Sequence, residues 1–156
     1  MRTVVIGVGN PYRRDDGVGS AVAELLRDLP GVEVAQSLGE TTDLMELWDG
    51  ADLAILVDAI LVDAILVDAV RTDPARPGRI HRLSVPAAGC GAASTHGPGL
   101  GEAVELARVL DRLPARLVLY AVEVTDVGHG RGLSLPVAAA SRRLAERIRA
   151  EVSWCA

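Results

Sequence analysis

Three short stretches of the chain carry residue types that can do chemistry together. The first is Gly7-Val8-Gly9-Asn10-Pro11-Tyr12-Arg13-Arg14-Asp15-Asp16-Gly17-Val18-Gly19, which sets two adjacent carboxylates where an apolar strand turns into a helix. Backbone N–H groups and the helix dipole hold such carboxylates ionised, and Asp15 or Asp16 also suits a plain N-cap. The second is the pentapeptide Ile-Leu-Val-Asp-Ala, present in tandem at 55–59, 60–64 and 65–69, so that Asp58, Asp63 or Asp68 ends a long apolar run. A carboxylate there is costly to bury unless it is paired, hydrogen-bonded or bound to a cation, and a strand-end turn is its ordinary use. The third is Ser94-Thr95-His96, just before Pro98-Gly99 opens a helix, where the positive helix end keeps the imidazole neutral and able to bind a metal.

Two carboxylates and one imidazole without a thiolate form a mixed oxygen and nitrogen set, suited to a divalent first-row metal, nickel and zinc included. All three stretches lie at strand-to-helix junctions on one side of a sheet, so they can meet. His81 and His129 read as incidental surface histidines, although Gly128-His129-Gly130-Arg131-Gly132 is a loop able to flank a site. Other chemistries lack their residues. A dinucleotide fingerprint would need glycine where Tyr12 stands, the phosphate-binding lysine of a P-loop is missing, and the chain has neither a Gly-x-Ser-x-Gly elbow nor a His-Glu-x-x-His pair.

The elements that must position these groups follow from periodicity. Thr3 to Val8 reads as a buried strand, and Val18, Ala21, Val22, Leu25, Leu26 and Leu29 as a helix stopped by Pro30-Gly31. Val32 to Ala35 is a second strand, Thr42 to Trp48 a short helix, and Leu53 onward a third strand. Arg79 to Val85 alternates like a more exposed strand, Gly101 to Leu113 is helical, and Arg116 to Val124 is a buried strand. A last helix starts near Ser134 and Pro136 and runs to about Val152. This alternation predicts a three-layer α/β/α fold with a mostly parallel five-stranded sheet and one antiparallel strand.

The 156 residues, with 49% apolar and 24% charged, suit one domain over 1–156 and exclude disorder. A net charge of -5 argues against nucleic acid and anionic membrane as partners. Cys90 and Cys155 fit neither a disulfide framework nor a metal pair, which points to a cytoplasmic chain. The one stretch long enough to cross a bilayer, Ala51 to Val70, carries Asp52, Asp58, Asp63 and Asp68, each costing about 2.5 to 3.5 kcal/mol in mid-membrane.

A period of five matches neither strand nor helix, so the repeat reads as a duplication. Taken as one strand the three copies would run about 50 Å, and ten residues must bulge out. Asp58 and Asp68 point the same way along a strand, and Asp63 points to the other side. Counting forward from Ala51-Asp52-Leu53 selects Asp58, whereas counting back from Pro77-Gly78 selects Asp68. The reading favours Asp68, because the surplus would then precede the strand at the edge away from the site, with Asp58 as the alternative.

The chain resembles the nickel-iron hydrogenase maturation endopeptidases along most of its length. The resemblance lies in Val4 to Asn10, Asp15-Asp16-Gly17-Val18-Gly19, the Val-Asp-Ala strand end, Ser94-Thr95-His96-Gly97 and Gly132-Leu133-Ser134 with Pro136, although the family has one copy where this chain has three. It implies removal of the C-terminal extension of a nickel-loaded hydrogenase large-subunit precursor, with Asp16, a repeat aspartate and His96 contacting the metal. The nickel would belong to the precursor, so no cofactor of the protein's own is implied, although another divalent metal could occupy the site. Asp16 is the candidate for the carboxylate that accepts the proton of the attacking water. The family is often classed with aspartic peptidases, which does not establish a shared-proton dyad here. A second reading is a nickel-dependent checkpoint protein that docks on the precursor without cutting it, and a third, resting on fold analogy alone, is a nucleotide-binding domain.

Overall fold

The computed structural model describes residues 1–61, 75–85 and 97–155. Among these residues five strands form one sheet: β1 (Thr3–Val8), β2 (Val32–Ser37), β3 (Leu53–Leu61), β4 (Ile80–Val85) and β5 (Arg116–Val124), in the order β2-β1-β3-β5-β4. β1, β2, β3 and β5 run parallel, and β4 pairs antiparallel with β5 at one edge. The near-continuous apolar runs of β1, β3 and β5 follow from this, since a parallel strand covered on both faces has no solvent side on which to place polar residues. β4 mixes exposed and half-buried positions, as an edge strand should.

Among the described residues four α-helices cover the sheet: α1 (Val18–Leu25), α2 (Thr41–Trp48), α3 (Gly97–Val109) and α4 (Leu135–Cys155). On one face Val18, Val22 and Leu26 meet Val137, Leu144 and Ile148 over the odd-numbered β3 residues Leu53, Ile55 and Val57. On the other, Leu44 and Trp48 meet Leu100, Val104 and Ala107 over Ala54 and Leu56. The result is the expected three-layer α/β/α arrangement. Among the described residues no helix is long and apolar enough to cross a membrane.

Two helices stop before their apolar pattern does. α1 ends at Leu25, yet Leu26 stays fully buried in a following turn, where the Leu29 N–H donates to the Leu26 carbonyl at 3.0 Å. α3 ends at Val109, not Leu113, because Asp111 takes a left-handed φ of 55°. Arg112 N–H then donates to Ala107 O at 2.7 Å and Asp111 N–H to Arg108 O at 3.3 Å, the paired bonds of a Schellman stop.

Candidate active site

α1 follows β1 on one face of the sheet and α2 precedes β3 on the other. The winding of the crossover connections therefore reverses between the parallel neighbours β1 and β3, and the crevice beyond their carboxyl ends is the place where open α/β sheets bind ligands. Both candidate carboxylates on described residues lie there. Asp16 sits in a 3-10 helix, Arg14–Gly17, between β1 and α1, and Asp58 is the sixth residue of β3.

Glycine lets these elements approach. A Cβ on Gly19 would stand 2.5 Å from the carbonyl oxygens of both Val8 and Val57, so the first turn of α1 rests directly on the backbones of β1 and β3. Gly9 has φ +132°, and a Cβ there would meet the Asp16 carbonyl at 2.1 Å. The turn is closed by Asp16, whose Oδ2 accepts the Asn10 N–H at 2.9 Å, while Asn10 Oδ1 accepts the Tyr12 N–H at 2.9 Å. Asp16 is thereby held on a fixed turn and remains half-buried.

Asp58 is also half-buried, and its Oδ1 accepts the Ala59 N–H at 2.8 Å. Burial pushes its carboxyl up to about 7, with the Ala59 N–H opposing the shift and the neighbouring Asp16 charge reinforcing it. The folded protein thus favours the neutral form of Asp58 far more than the unfolded chain does. The stabilisation this gives is complete below about pH 4 and is lost as pH rises to about 7. Asp58→Asn keeps the shape without the charge, so its unfolding free energy should gain on the wild type by roughly 3 kcal/mol between pH 4 and pH 8. Urea titrations at both pH values check this, and a pH-independent difference would show that Asp58 is not desolvated.

Asp15 does something different from its neighbour. It is 0% exposed, and its two oxygens accept the Ser134 N–H at 2.7 Å and the Ser134 hydroxyl at 2.8 Å. Its own N–H donates to Asp126 O at 3.0 Å. Ser134 directly precedes α4, so Asp15 caps a distant helix and not its own, and ties the β1 turn to the β5–α4 loop. Arg14 adds to the tie, with its N–H on Gly130 O at 2.9 Å and its Nε on His129 O at 3.2 Å. Asp15→Ala removes the acceptor of two part-buried donors and should cost about 2 kcal/mol, readable as a lower denaturation midpoint at unchanged m.

Asp63, Asp68 and His96 lie outside the described residues, so Asp16 and Asp58 are the candidate site residues whose positions are described. The surplus repeat does not precede the strand. β3 begins at Leu53, in register with Thr3 and Arg116, and takes in the first copy and Ile60-Leu61, so the remaining copies follow it. His81 is not an incidental surface residue: its Nε2 lies 2.8 Å from Glu123 Oε2, which also pairs with Arg79 Nε at 2.9 Å. Glu123 is buried on β5 and was not singled out by its sequence, since an acidic residue inside an apolar strand carries no partner signal. His129 is exposed.

These features define a doubly wound α/β protein with a pair of aspartates in its binding crevice. Residues 39–151 match the hydrogenase maturation protease family model HycI. The chain belongs to the hydrogenase maturation protease family. Its fold is similar to that of the hydrogenase maturating endopeptidase HybD from Escherichia coli, with TM-score 0.75 and 22% identity over 99% of this chain and 94% of that one. It is similar also to the NiFe hydrogenase maturation protease HycI from Thermococcus kodakarensis KOD1, with TM-score 0.65 and 26% identity over 95% and 90% of the two chains. Against curated protein sequences the chain finds no significant match.

Proposed function

We propose that the protein is an endopeptidase that removes the C-terminal extension of a nickel-loaded nickel-iron hydrogenase large-subunit precursor in the cytoplasm. The observation that carries this reading is the placement of Asp16 and Asp58 together in the switch-point crevice, in a chain of the maturation protease family. Nickel arrives as part of the substrate. Asp16 and Asp58 supply oxygen donors to it and His96 a nitrogen donor, with Asp68 the alternative to Asp58. Among the described residues no cluster of three ligating side chains occurs, so the set becomes complete only with residues beyond them. The donor types suit nickel or another divalent ion.

Amide hydrolysis needs a polarised carbonyl and an activated water, both of which a divalent ion favours. Water oxygen bonds to the scissile carbonyl carbon and gives a proton to the Asp16 carboxylate, and that proton passes to the nitrogen as the C–N bond breaks. Asn10 N–H holds Asp16 for this task. Asp58, its carboxyl pushed up to about 7 and so only partly ionised at that pH, must release its proton to ligate a cation, and engagement of the metal should strengthen as pH rises.

A non-cleaving checkpoint protein is the second reading. It is favoured by one observation, that the surplus repeat follows Asp58 in the chain. Incubation with nickel-loaded and nickel-free precursor, followed by intact-mass spectrometry, separates the two. Peptide release only from the loaded form supports the peptidase, whereas co-elution without release supports the checkpoint and sinks the peptidase.

A further inference from the structure

The turn before β4 sits on the same rim of the sheet as the aspartates. Gly78 N–H donates to Glu123 O at 2.8 Å and Glu123 N–H to Arg79 O at 2.9 Å, and Glu123 is level with Ile60 of β3, two residues beyond Asp58. Two interstrand spacings of about 4.8 Å separate the turn from β3, so roughly 10 Å lies between it and the Asp58 strand. There Arg76, Pro77, Gly78, Arg79 and Arg143 line a cavity of about 530 Å³. The cavity is built into the fold. Gly78 has φ +93°, and a Cβ on it would meet Pro136 O of α4 at 2.7 Å, so the turn is pressed onto the start of that helix. Arg79 is fixed by buried Glu123, which His81 also holds. Among the described residues Arg143 Nη2 reaches only the Gly78 carbonyl, at 3.4 Å, and no carboxylate pairs with the exposed Arg76 or Arg143 side chains.

Among the described residues Arg76 and Arg143 bring two guanidiniums without a paired carboxylate to this cavity, in a chain whose net charge is -5. Arginine presents a planar fork that matches a carboxylate in two-point fashion. An extended peptide advances about 3.3 Å per residue, so one lying across the rim from the aspartates reaches the cavity after roughly three residues. We propose that the Arg76–Arg143 cavity receives an acidic side chain of the polypeptide engaged by the Asp16–Asp58 site, roughly three or four residues from the bond it presents there. This subsite rests on the peptidase reading for the identity of its polypeptide, and it assigns Arg76 and Arg143 to binding and not to the chemical step.

The test uses the full chain and the double variant Arg76→Gln/Arg143→Gln. Fluorescence anisotropy with a labelled octapeptide carrying two adjacent glutamates, and with its glutamine counterpart, should show about tenfold tighter binding of the glutamate peptide to wild type. The double variant should lose that preference while keeping its melting temperature, and should raise KM for nickel-loaded precursor about tenfold with kcat unchanged. Equal binding of the two peptides by wild type, or an unchanged preference in the variant, overturns the subsite. Displacement of the peptide by an equimolar amount of inorganic phosphate overturns it as well, in favour of a phosphate site. If wild type binds the glutamate peptide selectively but never cleaves precursor, the peptidase reading fails while the subsite stands.

Discussion

Asp16→Asn should slow release of the C-terminal peptide by about 10²- to 10⁴-fold, the range lost when a positioned proton acceptor is removed. The substitution is conservative in shape: asparagine retains the Oδ that accepts the Asn10 N–H at 2.9 Å, so the β1 turn should persist. It removes one charge. Because that charge reinforces the upward shift of Asp58, the variant should also let the Asp58 carboxyl ionise at lower pH than about 7. A carboxyl-carbon NMR titration reads that shift directly, independently of activity. Full processing by the variant removes Asp16 from the chemistry, and an unmoved Asp58 titration denies the electrostatic contact between the two carboxylates.

Gly19→Ala should be among the most damaging single-methyl additions to the fold. In an exposed helix the change gains about 1 kcal/mol of helix propensity. Here the new Cβ would stand 2.5 Å from two carbonyl oxygens, and neither belongs to a side chain that could swing away. α1 must then lift off β1 and β3, and overpacking of this kind typically costs about 1–3 kcal/mol and occasionally more. With both carbonyl oxygens fixed the cost falls at the upper end of that range and outweighs the propensity, so a net loss of about 2 kcal/mol is expected, together with wider separation of Asp16 from Asp58. Gly31→Ala provides the contrast: nothing lies within 4 Å of its Cβ, and only its φ of +75° opposes the change, at about 1 kcal/mol. Denaturation curves for the two variants that coincide would contradict this account of why Gly19 is glycine.

The sheet and the first acidic turn were legible because their signals are local. β5 falls on Arg116–Val124 as its apolar run indicates, and a glycine-flanked pair of aspartates after β1 marks a strand-to-helix junction. Asp15 and Asp16 could not be told apart by position, since their difference lies in what faces them: Ser134, over a hundred residues away, takes Asp15, and the crevice takes Asp16. The Glu123–His81 pair was hidden for the same reason, being made only when β4 folds back along β5. The stop of α3 was missed because Asp111, not glycine, adopts the left-handed conformation.

The register of β3 carries a consequence for how the strand finds its place. Sliding the chain forward by five or by ten residues would present an identical Ile-Leu-Val-Asp-Ala to β1 and β5, with an aspartate still at the level of Asp58. Within the repeat the slipped alignments are degenerate. The ten-residue slip also brings Val70 and Arg71 to the levels of Ile60 and Leu61, but the difference common to both is that either slip puts Asp58 or Asp63 where Leu53 now lies 1% exposed, in one apolar cluster with Val5, Ile55 and Leu26. An unpaired carboxylate in that setting costs several kcal/mol, enough to reject both misalignments. A single leucine outside the duplicated segment therefore decides which of the chemically identical aspartates enters the crevice.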